Sequence, residues 1–174
     1  MKHIFLFLLL SARICSIGAD AQNVTNAPSE METISKLVLA IRQQPHSDKD
    51  YEARVAAIKR AAEIQNPDSQ IVEALLDNIS CYAKRVPLNP MSAPKFGFLP
   101  AHDALVTIGK PVIIPALLEK LKAVDDGNLR VQYAFLLQEI VGKTRSSELL
   151  KKDIETAKLS EQKTRLRKSL ELLR

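Results

Sequence analysis

Apolar residues recur every three or four positions along most of the chain, which is the spacing of one face of an α-helix. The segment after Ser29 shows the pattern with Ile34, Leu37, Val38 and Ile41. Prolines, glycines and short polar runs interrupt it repeatedly and mark the helix ends. The predicted helices cover about 29–43, 51–64, 69–86, 100–108, 111–122, 128–141, 145–158 and 161–173. The sequence therefore predicts an all-α fold.

Short motifs locate several helix ends. Ser29 and Glu32 have the spacing of a capping box, in which each side chain accepts a backbone N–H of the other residue. Gly109 and Gly142 are expected to end the fourth and sixth helices, since glycine readily adopts the left-handed conformation found just after a helix. The third helix is expected to continue to about Val86.

An acidic turn, residues 125–128, separates the fifth and sixth helices. Its aspartates suggest a calcium loop, but an EF-hand needs alternating ligands and a distant glutamate, and this pattern is missing. We therefore expect a plain turn. In it, Asn128 would be the N-cap of the sixth helix and an acidic residue would pair with Arg130.

The connections between predicted helices are mostly short, which brings neighbouring helices together as antiparallel hairpins. A recurring dipeptide, arginine followed by an aliphatic residue, indicates internal repetition. It occurs as Arg54-Val55, Arg130-Val131 and Arg165-Leu166. The first two arginines are 76 residues apart, which fits two repeats of about 38, and the last two are 35 apart. The chain is thus expected to form about four helical hairpins.

Residues 111–142 carry the clearest single unit. It consists of the segment Pro115–Leu121, an acidic turn at Asp125 or Asp126, and then Leu129, Arg130, Ala134, Leu137 and Ile140. This pattern resembles a HEAT repeat. The segments 29–64 and 145–173 match it weakly, and a long loop interrupts the match in 68–109. The resemblance implies a right-handed α-α superhelix, a solenoid of about four hairpins, and usually a binding or scaffolding role.

The predicted sixth helix, 128–141, is apolar on nearly all sides, so several neighbours must cover it. Its apolar residues are Leu129, Val131, Tyr133, Ala134, Phe135, Leu136, Leu137, Ile140 and Val141. The last helix differs, because Lys163, Arg167 and Lys168 lie outside its leucine stripe. This contrast predicts that the sixth helix is internal and the eighth is terminal in a stack of repeats.

The first 21 residues have the form of a signal peptide. A basic start precedes the apolar run Ile4–Leu10, which is too short to span a bilayer, and small residues end at a cleavage position after Ala21. Residues 22–28 are then a short disordered linker, and 29–174 form the repeat domain. The expected location is secreted or periplasmic.

Arg13, between the apolar run and the cleavage position, leaves an alternative open: an amphipathic N-terminal helix of a cytosolic protein. Removal of the signal would also remove Cys15, so that Cys81 would be the one remaining thiol and no intramolecular disulfide could form. Cys81 is expected to be a small, buried apolar residue on the third helix.

Composition and charge narrow the class of protein. Hydrophobic residues make up 46% of the chain and charged residues 26%, which is the balance of a globular protein. The net charge of +5 is uneven, because residues 143–174 contain ten Lys or Arg and five Asp or Glu. This basic end could meet an anionic surface, although its interleaved glutamates are also typical of a solvated helix face. Nucleic acid is not an expected partner, because aromatic residues do not interleave with the basic ones.

The sequence holds no pattern typical of catalysis or metal binding. His3 lies in the signal and His46 in a polar turn, while His102 is followed at the next helical turn by Leu105 and Val106 rather than by a second ligand. Motifs such as His-x-x-x-His, Cys-x-x-Cys and Gly-x-Ser-x-Gly are missing. We therefore predict no catalytic residue, no metal, no cofactor and no enzymatic activity.

Residues 87–99 form the one long irregular stretch between helices, and they are unusually apolar for a connection. Long loops inside compact domains are often functional. The alternative is that these side chains pack back on the edge of the stack. The predicted partner-binding residues are Met91, Lys95, Phe96, Phe98 and Gln132.

The preferred interpretation is a non-enzymatic protein-binding or scaffolding module outside the cytoplasm, with no transmembrane span in the mature chain. In HEAT proteins the second helix of each pair lines the concave face, which is the expected binding surface here. Two alternatives remain: an enzyme or small-ligand binder with a site in the groove, and an envelope-surface protein held by its basic C-terminal helices. Converging His, Asp and Glu side chains would favour the enzyme.

Overall fold

The computed structural model describes residues 30–81 and 99–173, and within these ranges it contains eight α-helices and no β-strand. The helices are α1 (Glu30–Arg42), α2 (Asp48–Ala62), α3 (Ser69–Asp77), α4 (Pro100–Ile108), α5 (Lys110–Ala123), α6 (Gly127–Val141), α7 (Lys143–Thr156) and α8 (Ser160–Leu172). The all-α class is therefore confirmed. None of these eight helices is both long and apolar enough to cross a membrane.

The end of α3 differs most from the prediction. The expected continuation to about Val86 is wrong, since α3 ends at Asp77 and Cys81 follows a turn. The cause is Asn78, whose side-chain amide donates to the carbonyl of Ala74 at 2.7 Å. In a continuing helix, the backbone N–H of Asn78 would donate to that same carbonyl. The side-chain amide competes with the backbone for this acceptor, and the helix ends there.

The start of α2 holds a capping box that was not predicted. The backbone N–H of Asp50 donates to Ser47 Oγ at 3.2 Å, and the N–H of Ser47 donates to Asp50 Oδ2 at 2.9 Å. The carboxylate of Asp50 accepts hydrogen bonds from the side chain of Ser47 and from the backbone N–H groups of His46 and Ser47, and these bonds lower its pKa. Aspartate replaces the usual glutamate or glutamine of the motif, which hides it in the sequence. The capping box predicted at Ser29 lies outside the described residues.

The turn before α6 is capped differently from the prediction. Asp126, not Asn128, is the N-cap: its Oδ1 accepts the backbone N–H groups of Asn128 at 2.7 Å and of Leu129 at 2.9 Å. The acidic neighbour Asp125 forms its ion pair with Arg165, at 2.7 Å between Oδ1 and Nε. The expected pairing with Arg130 is therefore replaced by a longer-range one.

Two glycines make the tightest connections. Gly109 alone joins α4 to α5, and Gly142 alone joins α6 to α7, both at φ 83°. This conformation is costly for a residue with a Cβ atom, so both positions favour glycine. The prediction that each glycine ends its helix is confirmed.

Consecutive helices pack in pairs: α1 with α2, α3 with α4, α5 with α6, and α7 with α8. Between pairs, α3 packs against both α1 and α5, while α4 packs against both α2 and α6. The buried residues of all eight helices form one continuous apolar cluster. First helices therefore contact first helices, and second helices contact second helices, through the first three pairs.

The last pair breaks this order. In a regular repeat α7 would follow α5, but here α8 packs against α5 and α7 packs against α6. Arg165 of α8 shows the same geometry, because its Nη1 donates to the carbonyl of Lys122 near the end of α5. The helix α8 thus contacts α5, α6 and α7, and the final hairpin packs differently from the first three.

The helix α6 is covered on several sides, whereas the place of α8 as the last helix of a repeat stack stays a prediction. The helix α6 packs against α4, α5, α7 and α8, and it buries Leu136 and Leu137 completely. Phe135 is the exception on α6, with 43% of its surface exposed. On α8, Leu166 is buried while Arg167 and Lys168 are exposed.

Candidate binding surface

The repeated arginines hold helix ends together. Arg54 is only 6% exposed, and its Nε donates to the carbonyl of Ile41 at 2.9 Å, near the end of α1. Its Nη2 donates to the side-chain oxygen of Asn78 at the end of α3. A cation at the C-terminal ends of two helices is also favoured by their dipoles. Arg54 therefore joins the first two hairpins and is structural.

The other two arginines converge on the end of α5. Arg130 Nη2 donates to the carbonyl of Val124 at 2.9 Å, and Arg165 Nη1 donates to that of Lys122 at 3.3 Å. The ion pair with Arg165 lowers the pKa of Asp125. The marker that indicated repetition in the sequence thus has one function in all three copies, which is to bind carbonyl groups where a preceding helix ends.

Gln132, the described member of the predicted partner-binding set, lies beside the end of the α3 turn. Its Oε1 accepts a hydrogen bond from Ser80 Oγ at 2.9 Å. Cys81 follows and is the last residue described before the loop; burial raises the pKa of its thiol, against a smaller opposite effect of Arg54. Gln132 is therefore placed where the loop leaves α3.

The remaining predicted partner-binding residues lie outside the described residues. They are Met91, Lys95, Phe96 and Phe98. Their role in binding a partner stays a prediction.

A groove of about 450 Å³ runs between α2 and α4, and we call it the α2–α4 groove. Its lining comprises Val55, Lys59, Ala62, Glu63, Pro100, Asp103, Ala104 and Thr107. Small apolar side chains cover its floor, while Lys59, Glu63 and Asp103 stand at its rim. Such a combination can enclose an apolar side chain and orient it with charged groups.

His102 of α4 does not line this groove; it is buried, 6% exposed, between two carboxylates. Its Nε2 lies 3.4 Å from Glu139 Oε2 on α6, and its Nδ1 lies 3.7 Å from Asp103 Oδ1. No sequence signal could have found this contact, because Glu139 is distant in sequence and belongs to another hairpin. Across residues 30–81 and 99–173, no group of three or more His, Cys, Asp or Glu residues could hold a metal ion.

Two further clefts lie on the other side of α2, between it and α1. Their volumes are about 380 and 420 Å³, and they share Thr33, Leu37 and Arg60 as lining residues. Leu39, on the same helix α1, is 69% exposed. The larger cleft also reaches Asp68 and Ile71 at the start of α3, and neither cleft is lined by a residue of α4.

The exposed charges beside the α2–α4 groove are mostly negative. Carboxylates are exposed at Glu52, Glu63, Asp103 and Glu139, against the single lysine Lys59. We call these five residues the acidic face. No protein-family model, curated protein or solved structure matches the chain. The chemistry of this surface thus has to be inferred from its own residues, and what it can do is bind an apolar group flanked by cations.

Proposed function

We propose that the protein is a non-enzymatic docking module for a protein partner, built as a HEAT-like, right-handed superhelix. In this arrangement the second helices form the concave face, on which the α2–α4 groove lies. The packing of second helix on second helix through α6 supports the architecture. The contacts of Arg54 and Arg130 support it as well, since each binds a carbonyl at the end of the first helix of its own pair.

The observation that carries the docking role is the α2–α4 groove. It combines an apolar floor with a charged rim, and an interface core with a polar rim has the same composition. Its volume of about 450 Å³ leaves room for more than one side chain of a partner's helix or extended segment.

The test is to block the groove with a substitution at one exposed residue. Thr107→Arg places a long, charged side chain across the groove, and Thr107 is exposed, so that the fold should persist. We expect capture of a partner from the native envelope fraction to fall about tenfold or more. If the variant captures the same protein as strongly as the natural chain does, the groove is not the docking site.

A matched control is available on α8. Thr164 is exposed and donates its hydroxyl to the carbonyl four residues earlier at 3.0 Å, just as Thr107 does at 2.9 Å. Thr164→Arg adds the same side chain away from the groove, and we expect it to leave capture unchanged. The predicted role of the loop 87–99 is tested in the same assay by deleting it.

We further propose that the module acts outside the cytoplasm, secreted or periplasmic, after cleavage behind Ala21. The support is the apolar run Ile4–Leu10 and the small residues that follow it. Mass spectrometry of the protein from its native source should give a chain that begins at Gln22. A chain that retains residues 1–21 and is found in the cytoplasm would contradict export.

A second candidate function, an enzyme or small-ligand binder, is favoured by one observation. Asp103 lines the groove and lies next to His102, whose other nitrogen faces Glu139. If this cluster performs chemistry, His102→Asn should change the products formed from a bound ligand. If the groove is a docking surface, His102→Asn should keep partner capture while Thr107→Arg loses it.

A further inference from the structure

The chain carries a basic surface that is complementary to its own acidic face. Exposed cations on the last hairpin are Lys143, Arg145, Lys151, Lys152, Lys158, Arg167 and Lys168. Four exposed glutamates interleave with them, one of which, Glu148, pairs with Arg145 at 2.9 Å. The balance on this hairpin is nevertheless positive, whereas the acidic face has four carboxylates to one lysine.

The same hairpin exposes an apolar side chain at its tip. Leu159, in the connection between α7 and α8, is 58% exposed and directly follows Lys158. An exposed leucine beside a lysine fits an apolar groove with an acidic rim, because the leucine can be buried in the groove while the lysine pairs with the rim. The α2–α4 groove offers an apolar floor at Val55, Ala62 and Ala104.

These two surfaces cannot meet within one molecule in the observed packing. The last hairpin packs against α5 and α6, while the groove lies between α2 and α4, on the far side of α6. A second copy, in contrast, can present its last hairpin to the groove of the first. Such a contact joins different surfaces of the two copies, so that it is heterologous and can continue into chains or close into a ring.

We propose that the partner of the α2–α4 groove is a second copy of this chain, which docks the tip of its last hairpin, Lys158 and Leu159, into the groove. This inference rests on the proposed docking role of the groove and names its occupant. Leu159 leaves water for the apolar floor, and Lys152 and Lys158 approach Glu52 and Glu63. The charges steer the encounter and set its orientation, so salt weakens the contact.

The first measurement is sedimentation velocity of the mature chain at increasing concentration and at two salt concentrations. We expect the average mass to rise with concentration at low salt and to rise less at high salt. Leu159→Gln should reduce this association, whereas Leu172→Gln, which changes the exposed leucine near the other end of α8, should not. A mass that stays monomeric at every concentration overturns the proposal.

Charge reversal gives the sharper test. One variant carries Glu52→Lys with Glu63→Lys, and the other carries Lys152→Glu with Lys158→Glu; all four side chains are exposed. Each variant alone should stay monomeric, because both of its surfaces then have the same sign. An equal mixture should associate again, since each surface of one variant is now complementary to the other variant.

The control for charge alone is Glu73→Lys. Glu73 is an exposed residue of α3 that does not line the groove, and this variant should associate like the natural chain. If the mixture of reversed variants fails to associate, head-to-tail docking is wrong. If the chain is monomeric while Thr107→Arg still loses a captured protein, the groove remains a docking site and only its assignment to a second copy fails.

Discussion

Arg54 shows how a single buried cation can hold two hairpins together. Its guanidinium binds the carbonyl of Ile41 and the side chain of Asn78, and Asn78 in turn ends α3. Planar guanidinium groups suit such a bridge, because they donate in several fixed directions. The sequence identified Arg54 as a repeat marker, but it could not show that a residue 24 positions later completes the contact.

We predict that Arg54→Leu lowers the free energy of unfolding by about 2–3 kcal/mol, because it leaves buried polar groups without their charged donor. Urea unfolding followed by circular dichroism measures this change. Arg145→Leu is the matched control: its side chain is exposed and pairs only with Glu148, so that the loss should be below about 0.5 kcal/mol. Equal effects of both substitutions would contradict the bridging role of Arg54.

Tyr133 makes stability depend on pH at the alkaline end. Its hydroxyl donates to the carbonyl of Leu76 at 3.1 Å, and burial, with a smaller effect of Asp77, raises its pKa to about 12. The unfolded value is about 10, so the folded state keeps a proton that the unfolded state loses. The contribution of the protonated Tyr133 hydroxyl to the free energy of unfolding is therefore complete below pH 10 and is lost as pH rises towards 12.

Spectrophotometric titration of the phenol tests this prediction. The natural chain should show a tyrosine that ionises only near pH 12, or together with unfolding, and Tyr133→Phe should remove this step. The variant should also lose less stability than the natural chain between pH 10 and 12. A Tyr133 signal that titrates near pH 10 in the folded protein would contradict the buried hydrogen bond.

The helices themselves were largely predictable. Periodic apolar residues and the glycines at 109 and 142 placed α4 at its observed limits and the other helices, apart from α3, within three residues. The end of α3 was not predictable, because it depends on one side-chain amide, that of Asn78. The order of α7 and α8 was also not predictable, since periodicity shows which face is buried but not which helix covers it.

Alanine substitutions at two glycines test whether the positive φ of a connection favours glycine. Gly142 has φ 83° and nothing within 4 Å of an added Cβ atom, so Gly142→Ala should cost about 1 kcal/mol through backbone strain alone. Gly127, the first residue of α6, is equally uncrowded and has no positive φ. Gly127→Ala should be neutral or stabilise by up to about 1 kcal/mol. Thermal unfolding of both variants measures the difference. Equal shifts of the melting temperature would contradict backbone strain at Gly142.

At the scale of the whole molecule, the candidate site could be predicted only in part. Gln132 was predicted to bind a partner; the structure places it next to Ser80, and its binding role stays a prediction. The α2–α4 groove was not expected as such, because its lining comes from two hairpins whose residues carry no local motif. The buried His102 was missed for the same reason. Contacts between hairpins cannot be read from the spacing of residues within one helix.

The packing of the helices shows on which surfaces the unevenly distributed charges of the chain lie. The sequence showed that its basic residues concentrate in the last two helices. The structure adds that these helices lie at one end of the molecule, while the acidic face lies on α2, α4 and α6. Opposite charges on separate surfaces favour association between copies over a purely local role in stability.

The most direct test of the docking role is a map of backbone amide signals by nuclear magnetic resonance. Labelled protein is titrated with its unlabelled partner, either a captured protein or a second copy. We predict that the largest shifts fall on the groove, at Lys59 and Glu63 of α2 and at Thr107 of α4. Binding that leaves these signals unchanged, and moves those of Thr33 and Leu37 in the α1–α2 clefts instead, would contradict the account.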